Sequence, residues 1–303
     1  MADPGTLTIT WLPDARPRER HLAVGEFDGV HIGHREVIHG ADTVLTFEPH
    51  PRFVVAPDSA PKLLTPLAVK ADLIADLAVR ELVVIPFDGS FAAQSAQEFI
   101  DRELVSRLGA RTVSVGENFR FGNRAKGDTA LLRAQEAFST RVAELVEVDG
   151  EIVSSTHIRG LVVAGDLEQA NRFLGSPFQL RGIVQHGDER GRELGFPTAN
   201  LVPENALVYP SNGVYACRAA VEEDGEWRWW PAATNVGVRP TFVTGRGVLV
   251  EAYLLDFDGD LYGQELRLSF LRRLRGEHRF ESIDELVEQM ARDVEEARRV
   301  AGA

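Results

Sequence analysis

In its first half the chain alternates short apolar runs with helical stripes, and this alternation restricts the fold more than any other feature. Runs at 21–25 (HLAVG), 43–47 (TVLTF), 81–86 (ELVVIP) and 111–115 (RTVSV) read as strands, with a fifth candidate at 141–148. Between them Leu67, Ala71, Ile74 and Ala78 recur at helical spacing, and Phe99, Leu104 and Leu108 belong to a second helix ending at Gly109. Strands alternating with helices predict a parallel sheet with helices packed on it. Ligands of such sheets bind beyond the carboxyl ends of the strands, so chemistry is expected in the residues that follow each strand.

Those residues are polar and glycine-rich: GEFDGVHIGH at 25–34, EPHP at 48–51, GENFRFG at 116–122 and SSTHIR at 154–159. If 30–39 is helical, His31 and His34 share one face. Gly33 between them leaves the backbone open to a phosphate, and a helix start adds N–H donors and a positive dipole end. A solvated helix start or a metal site would also use two such histidines, although the spacing places no third ligand. SSTHIR also reads as a helix start, with hydroxyls able to cap and Arg159 one turn in, and by itself it is an ordinary N-cap. Residues 111–133 carry five basic side chains against two acidic ones, a local basic patch that suits a polyphosphate.

The rhythm changes near residue 176. A helix over 158–174, interrupted at Gly165, is expected to stop at Gly175. Beyond it short runs at 179–185, 213–221, 227–236, 248–256 and 265–271 are separated by Gly/Asp turns, the pattern of an antiparallel barrel or sandwich. Ser282-Ile283-Asp284-Glu285 is a capping box opening a final helix, whose stripe of Ile283, Leu286, Val287, Met290, Val294 and Ala297 is expected to pack on the barrel. The loop at 187–201 (GDERGRELGFPTANL) lacks the GK[ST] of a Walker A motif. Thr198 and Asn200, two apart in an extended segment, would direct a hydroxyl and an amide oxygen to one side, a donor pair suited to Mg²⁺. Glu251 lies in a strand-like run as either a solvated face or a general base.

Length and charge bound the function. A chain of 303 residues suits two domains. The net charge of −13 argues against nucleic acid and anionic membrane as main partners. The single cysteine, Cys217, excludes an intrachain disulfide and a thiolate metal cluster. No secretory leader or 18-residue apolar stretch is evident, so a cytoplasmic protein is expected. The sequence indicates no oligomeric state.

The motifs GxFDGxHxGH at 25–34, TFEPHP at 46–51, GENFRFG and SSTxIR resemble, in order, the nucleotidylyltransferase half of the prokaryotic bifunctional riboflavin kinase/FMN adenylyltransferases, the FAD synthetases. GRELGFPTANL at 191–201, GVYA at 213–216, TNVGVRPTF at 234–242, LLDFDGDLYG at 254–263 and FLRRLRGEHRF at 270–280 resemble the kinase half. The resemblance implies a Rossmann-like adenylyltransferase domain over 1–176, and a six-stranded antiparallel barrel with a C-terminal helix as the kinase domain over 177–303. It implies two ATP-dependent reactions with Mg²⁺: riboflavin to FMN, then FMN to FAD. By that resemblance His31 and His34 hold the ATP phosphates through adenylyl transfer. Gly25, Phe27, Asp28, Gly33, Asn118, Arg120, Ser155, Thr156 and Arg159 bind the same nucleotide. Phe47, Pro49 and His50 face the flavin. In the kinase half Gly187, Gly191 and Arg192 cover the nucleotide phosphates, Phe196 meets the flavin, Thr198 and Asn200 hold Mg²⁺–ATP, and Glu251 is the base for the ribityl 5′-hydroxyl. Three features depart from the family: Glu26 where an uncharged residue is commoner, only 12 residues between His34 and Phe47, and Tyr253 in place of a histidine. Two other readings of the same motifs are a riboflavin kinase with a weakened or inactive adenylyltransferase half, and a non-catalytic flavin-binding protein.

Overall fold

The computed structural model describes residues 7–187, 194–201, 206–241 and 245–302. The chain divides into two compact units, Met1–Ser155 and Thr156–Ala303.

The first unit is built on a six-stranded parallel sheet in the order β1-β4-β3-β2-β5-β6. The strands are β1 (Thr8–Trp11), β2 (Arg20–Val24), β3 (Thr43–Glu48), β4 (Glu81–Pro86), β5 (Ala110–Gly116) and β6 (Ser139–Ala143). Both faces are buried, so alternate residues of one strand enter different cores. Leu22, Val24, Leu45, Val83 and Ile85 join one cluster, and Ala23, Val44, Leu82 and Val84 the other. This double burial is why the strands read as continuous apolar runs. The helices that cover the sheet include α1 (Ile32–Ile38), α2 (Pro51–Val55) and α3 (Leu67–Ala75). Short α4 (Gly89–Ala92) precedes α5 (Ala96–Glu98), which continues into a π-wound stretch, Phe99–Arg107, and α6 (Thr129–Arg133) follows β5. The edge strand β1 has no counterpart in the sequence reading, because Ile9 and Trp11 are exposed and its four residues alternate too briefly to register.

The strand order reverses between β2 and β5, so the carboxyl ends of these two strands open the crevice where such folds bind ligands. GEFDGVHIGH and GENFRFG follow those two strands. At the opposite end of the sheet a buried ion pair joins β2 to β4. Arg20 Nε donates to Glu81 at 2.9 Å and Arg18 Nη2 donates to it at 2.7 Å. Burial pushes the Glu81 carboxyl up, but the hydrogen bond and charge of Arg20, with help from Thr10 and Arg18, outweigh it and hold the group below its ordinary value. A depressed carboxyl contributes stability above its unfolded pKa and loses it as pH falls through the folded value. Glu81→Gln should therefore destabilise the unit at neutral pH by about 3–5 kcal/mol, since Arg20 would be left buried and unpaired. The deficit against wild type should shrink in acid; chemical denaturation at two pH values measures it.

In the second unit α7 (Ser155–Ala164) and α8 (Leu167–Leu174) meet at Gly165, whose φ of 82° breaks the helix, and α8 stops at Gly175 in the left-handed conformation. Side-chain oxygens of Ser211 and Tyr215 would lie 2.5 and 2.9 Å from any Cβ at Gly165. After β7 (Glu147–Val148) and β8 (Glu151–Ile152) of the first unit, six strands close a barrel in the order β10-β13-β12-β11-β14-β9. They are β9 (Phe178–Gln185), β10 (Ala199–Leu201), β11 (Gly213–Glu223), β12 (Glu226–Thr241), β13 (Gly245–Leu254) and β14 (Glu265–Arg275). Asp224 and Gly225, with φ of 55° and 81°, make the tight β11–β12 turn. The barrel interior is apolar and includes Cys217, whose thiol burial pushes up to about 12. The final helix α9 (Ile283–Ala301) is capped by Ser282. It is fastened to the barrel at Arg275–Asp293 (2.7 Å) and at Arg218, which donates to Ala301 O at 2.7 Å.

Candidate active sites

The first site begins where β2 ends. Asp28 accepts from the N–H groups of Leu64 and Thr65 at 3.0 Å each, and Gly29 N–H donates to Thr65 Oγ1 at 2.9 Å. These bonds hold Phe27, Gly29 and Val30 at positive φ (50°, 89° and 41°), a conformation costly for a β-branched residue, about 1–3 kcal/mol. The turn delivers His31 to the N-cap of α1, where Nδ1 accepts from His34 N–H at 3.2 Å. In the neutral ring that bond leaves the proton on Nε2, so His31 presents a donor. The His31 and His34 rings stack with centroids 3.5 Å apart, and Gly33 permits this because any Cβ there would lie 3.3 Å from the His31 ring. Ser155 at the start of α7 donates to Asp28 O at 2.9 Å, which ties that residue to the same turn. Thr156 and Arg159 follow on α7.

A cavity of about 830 Å³ lies beyond the carboxyl ends of β2 and β5, lined by Gly25, Glu26, Phe27, His34, Phe47, Asn118 and Arg120 among others. Phe87, Phe91, Phe119 and Phe121 add to an aromatic wall that the sequence reading did not single out. Their spacing, across the turn into α4 and in the loop after β5, carries no periodic signal. Several expected ligands are placed otherwise. Asp28 is 3% exposed and serves the turn. Pro49 is not among the lining residues, while Pro51 is. His50 is buried and caps α2, accepting from Arg52 N–H at 3.2 Å. The basic patch is also divided. Arg111 sits at the amino end of β5 and pairs with Glu19 at 2.5 Å, away from the crevice, while Arg120 pairs with Asp128 at 3.3 Å on its margin. The departure at Glu26 is accounted for by His50 Nε2, 2.7 Å from its carboxylate.

The second site lies on the outer face of the barrel. In the register Glu251 of β13 stands opposite Asn200 of β10 and Asn235 of β12, so three polar side chains from three strands share one level and one face. Thr234 and Ala252, next along their strands, point into the barrel and are fully buried. A cavity of about 700 Å³ there is lined by Phe196, Thr198, Asn235, Glu251, Tyr253 and His278, with Leu286, Met290 and Val294 of α9 forming a wall. The α9 stripe is therefore not a closed core: only Ala297 of it is fully buried, and Ile283 is 67% exposed. Phe196 meets Tyr253 edge-on at 5.5 Å. Asn200 is 8% exposed, and its buried Oδ1 has no hydrogen-bond partner among the described residues. Asn200 is not among the residues that line the cavity, but an oxygen in that state, on a strand in register with Glu251, fits a hard cation. Among the described residues no group of three or more His, Cys, Asp or Glu could hold a metal, so such an ion would take ligands from its substrate as well. Gly191 and Arg192 lie outside the described residues.

Gly187 is where the glycine-rich loop meets the site. A Cβ there would fall 2.3 Å from Asn200 Nδ2. Gly187→Ala should therefore push Asn200 aside and lower turnover at this site about 100-fold, a displacement effect, while leaving turnover at the first site unchanged. Steady-state rates at both sites check this.

Profiles for two families match the chain: "FAD synthetase" over residues 14–157 and "Riboflavin kinase" over 174–301. The chain is 38% identical to a bifunctional riboflavin kinase/FMN adenylyltransferase of Bacillus subtilis, over 91% of this chain and 90% of that one. It is 40% identical to one of Escherichia coli (93% and 92%) and 37% identical to one of Pseudomonas fluorescens (97% of each). A crystal structure described as a macrolide-efflux protein from Streptococcus pneumoniae superposes with a TM-score of 0.86 at 29% identity, covering 97% of this chain and 99% of that one. No helix among the described residues is long and apolar enough to cross a membrane.

Proposed function

The chain belongs to the bifunctional riboflavin kinase/FMN adenylyltransferase family, and from that premise we propose how its two cavities divide the work. Its activities are the phosphorylation of riboflavin to FMN and the adenylylation of FMN to FAD, both with ATP. One observation carries the assignment of each to a cavity: each compact unit holds its own cavity, and the two are lined by different chemistries. The working domains are proposed as 1–176 and 177–303. α8 belongs to the first by sequence pattern but packs with the second, where Asn171 Nδ2 donates to Phe270 O at 2.8 Å.

In the barrel cavity Glu251 accepts the proton of the ribityl 5′-hydroxyl as that oxygen attacks the γ-phosphorus and ADP leaves. Among the described residues Glu251 forms no ion pair, which leaves its carboxylate available as a base. Thr198 and Asn200 would hold Mg²⁺, which supplies charge stabilisation to the phosphates when bound. Phe196 and Tyr253 offer an aromatic corner to the flavin ring.

In the crevice of the parallel sheet no base is required, because the FMN phosphate is already an anionic nucleophile. Its oxygen attacks the α-phosphorus of ATP and pyrophosphate leaves. The protein's task is alignment and donation to the developing charge. His31 and His34 are the proposed donors, with Asn118 and Arg120 in the same role. Phe47 and His50 stand for the flavin side. One assay tests the whole reading: incubation with riboflavin, ATP and Mg²⁺, with FMN and FAD resolved by chromatography. FMN accumulating without FAD would leave only the kinase assignment, and no ATP consumption would leave neither.

A further inference from the structure

Glu26 is a carboxylate on the wall of a cavity whose substrates are both polyanions, and the adenylyl-transfer chemistry above makes no use of it. Left undirected, it would repel both substrates. The structure directs it. Its backbone carbonyl accepts from Lys70 Nζ at 2.8 Å and from Thr46 Oγ1 at 3.1 Å. Lys70 is 6% exposed on α3, so a buried amino group anchors the residue from below. Its carboxylate Oε2 is 2.7 Å from His50 Nε2. His50 Nδ1 is occupied by Arg52 N–H, so the ring proton sits on Nε2 and is donated to Glu26. Glu26 is thus held at both ends while its side chain stays 46% exposed and lines the cavity beside Phe47 and Phe87.

A carboxylate held in this way beside aromatic rings is an acceptor for the edge of a flat heterocycle that stacks there. Each substrate of this site has such an edge: the imide N–H of the isoalloxazine ring and the exocyclic amino group of adenine. We propose that Glu26 is a specificity-determining residue of the adenylyl-transfer site, its carboxylate accepting a hydrogen bond from a ring-edge N–H of a heterocyclic substrate. His50 is the positioning residue that orients it. The proposal rests on the functional reading above.

The test is a substrate–variant cycle on the full chain, reading kcat/KM for FAD formation. Glu26→Ala should lower it about 10- to 100-fold with FMN and ATP, the loss expected for a hydrogen bond to a charged acceptor. Two arms then remove the donor: FMN methylated at the imide nitrogen, and purine riboside triphosphate, which lacks the amino group. In the arm that carries the contact, wild type should lose a similar factor and Glu26→Ala should lose nothing further, or should recover. The penalty persisting in full in both arms would mean a merely structural role and overturn the proposal, as would no penalty with FMN and ATP. Thermal unfolding of the same variant reports whether its first unit has folded, and Glu26→Gln is the substitute if it has not. Wild type that makes no FAD from FMN and ATP would instead overturn the functional reading itself.

Discussion

Glu251→Ala is expected to abolish riboflavin phosphorylation while the same protein still converts FMN to FAD. Loss of a positioned general base lowers turnover about 10²- to 10⁴-fold. Glu251 is well placed for a clean experiment because it lies on the outer face of β13, not among the buried Val250, Ala252 and Leu254 that fill the barrel. Its removal leaves the core intact, so the stability change should stay within about 0.5 kcal/mol, the range of surface substitutions. Glu251→Gln sharpens the result: it preserves the shape opposite Asn200 and Asn235 but cannot take a proton, and should be nearly as inactive. Loss of FAD formation from supplied FMN, in a variant of unchanged melting temperature, would break the two-site assignment; phosphorylation surviving would remove Glu251 from its role.

His31→Ala combined with His34→Ala should produce the reverse phenotype. FMN should accumulate from riboflavin and FAD formation should fall by about 10² or more, the range for losing one preorganised donor to a developing charge. The alanine at 31 has a second effect, since the His31 ring caps α1. Losing that cap costs about 1 kcal/mol. His31→Asn separates the two contributions: an amide oxygen can restore the cap, but no imidazole N–H is restored. If His31→Asn recovers stability yet stays inactive in FAD formation, the ring acts on substrate. If it recovers activity too, the cap was its whole role.

The candidate sites were legible wherever a site is local. His31 and His34 are three residues apart and meet across one turn of α1, so their shared face follows from helix geometry alone. Thr198 and Asn200 are an expectation of the same kind, from the two-residue period of an extended segment. Glu26 was visible as a misplaced charge, but its partner was not, because His50 lies 24 positions away and reaches it only through the β2–β3 pairing. Lys70 carried a faint signal: it follows Leu67 by three residues, on the apolar face where a lysine is out of place. Arg111 misled the charge count, since it opens the β5 run and so lies at the end of the strand away from the crevice.

By itself the sequence determined the class of each half, the turns and caps, and the residue types available for chemistry. Those properties depend on interactions within a few residues: apolar periodicity, glycine at positive φ, a side-chain cap on the nearest N–H. Only the tertiary structure decided which of those residues meet. The reversal of strand order between β2 and β5 brings the histidine turn and GENFRFG to one crevice. Pairing of β13 with β10 and β12 sets Asn200, Glu251 and Asn235 side by side from three strands. Both are matters of non-local register, settled by burying two faces of a sheet or closing its edges, and no spacing within a single segment encodes them.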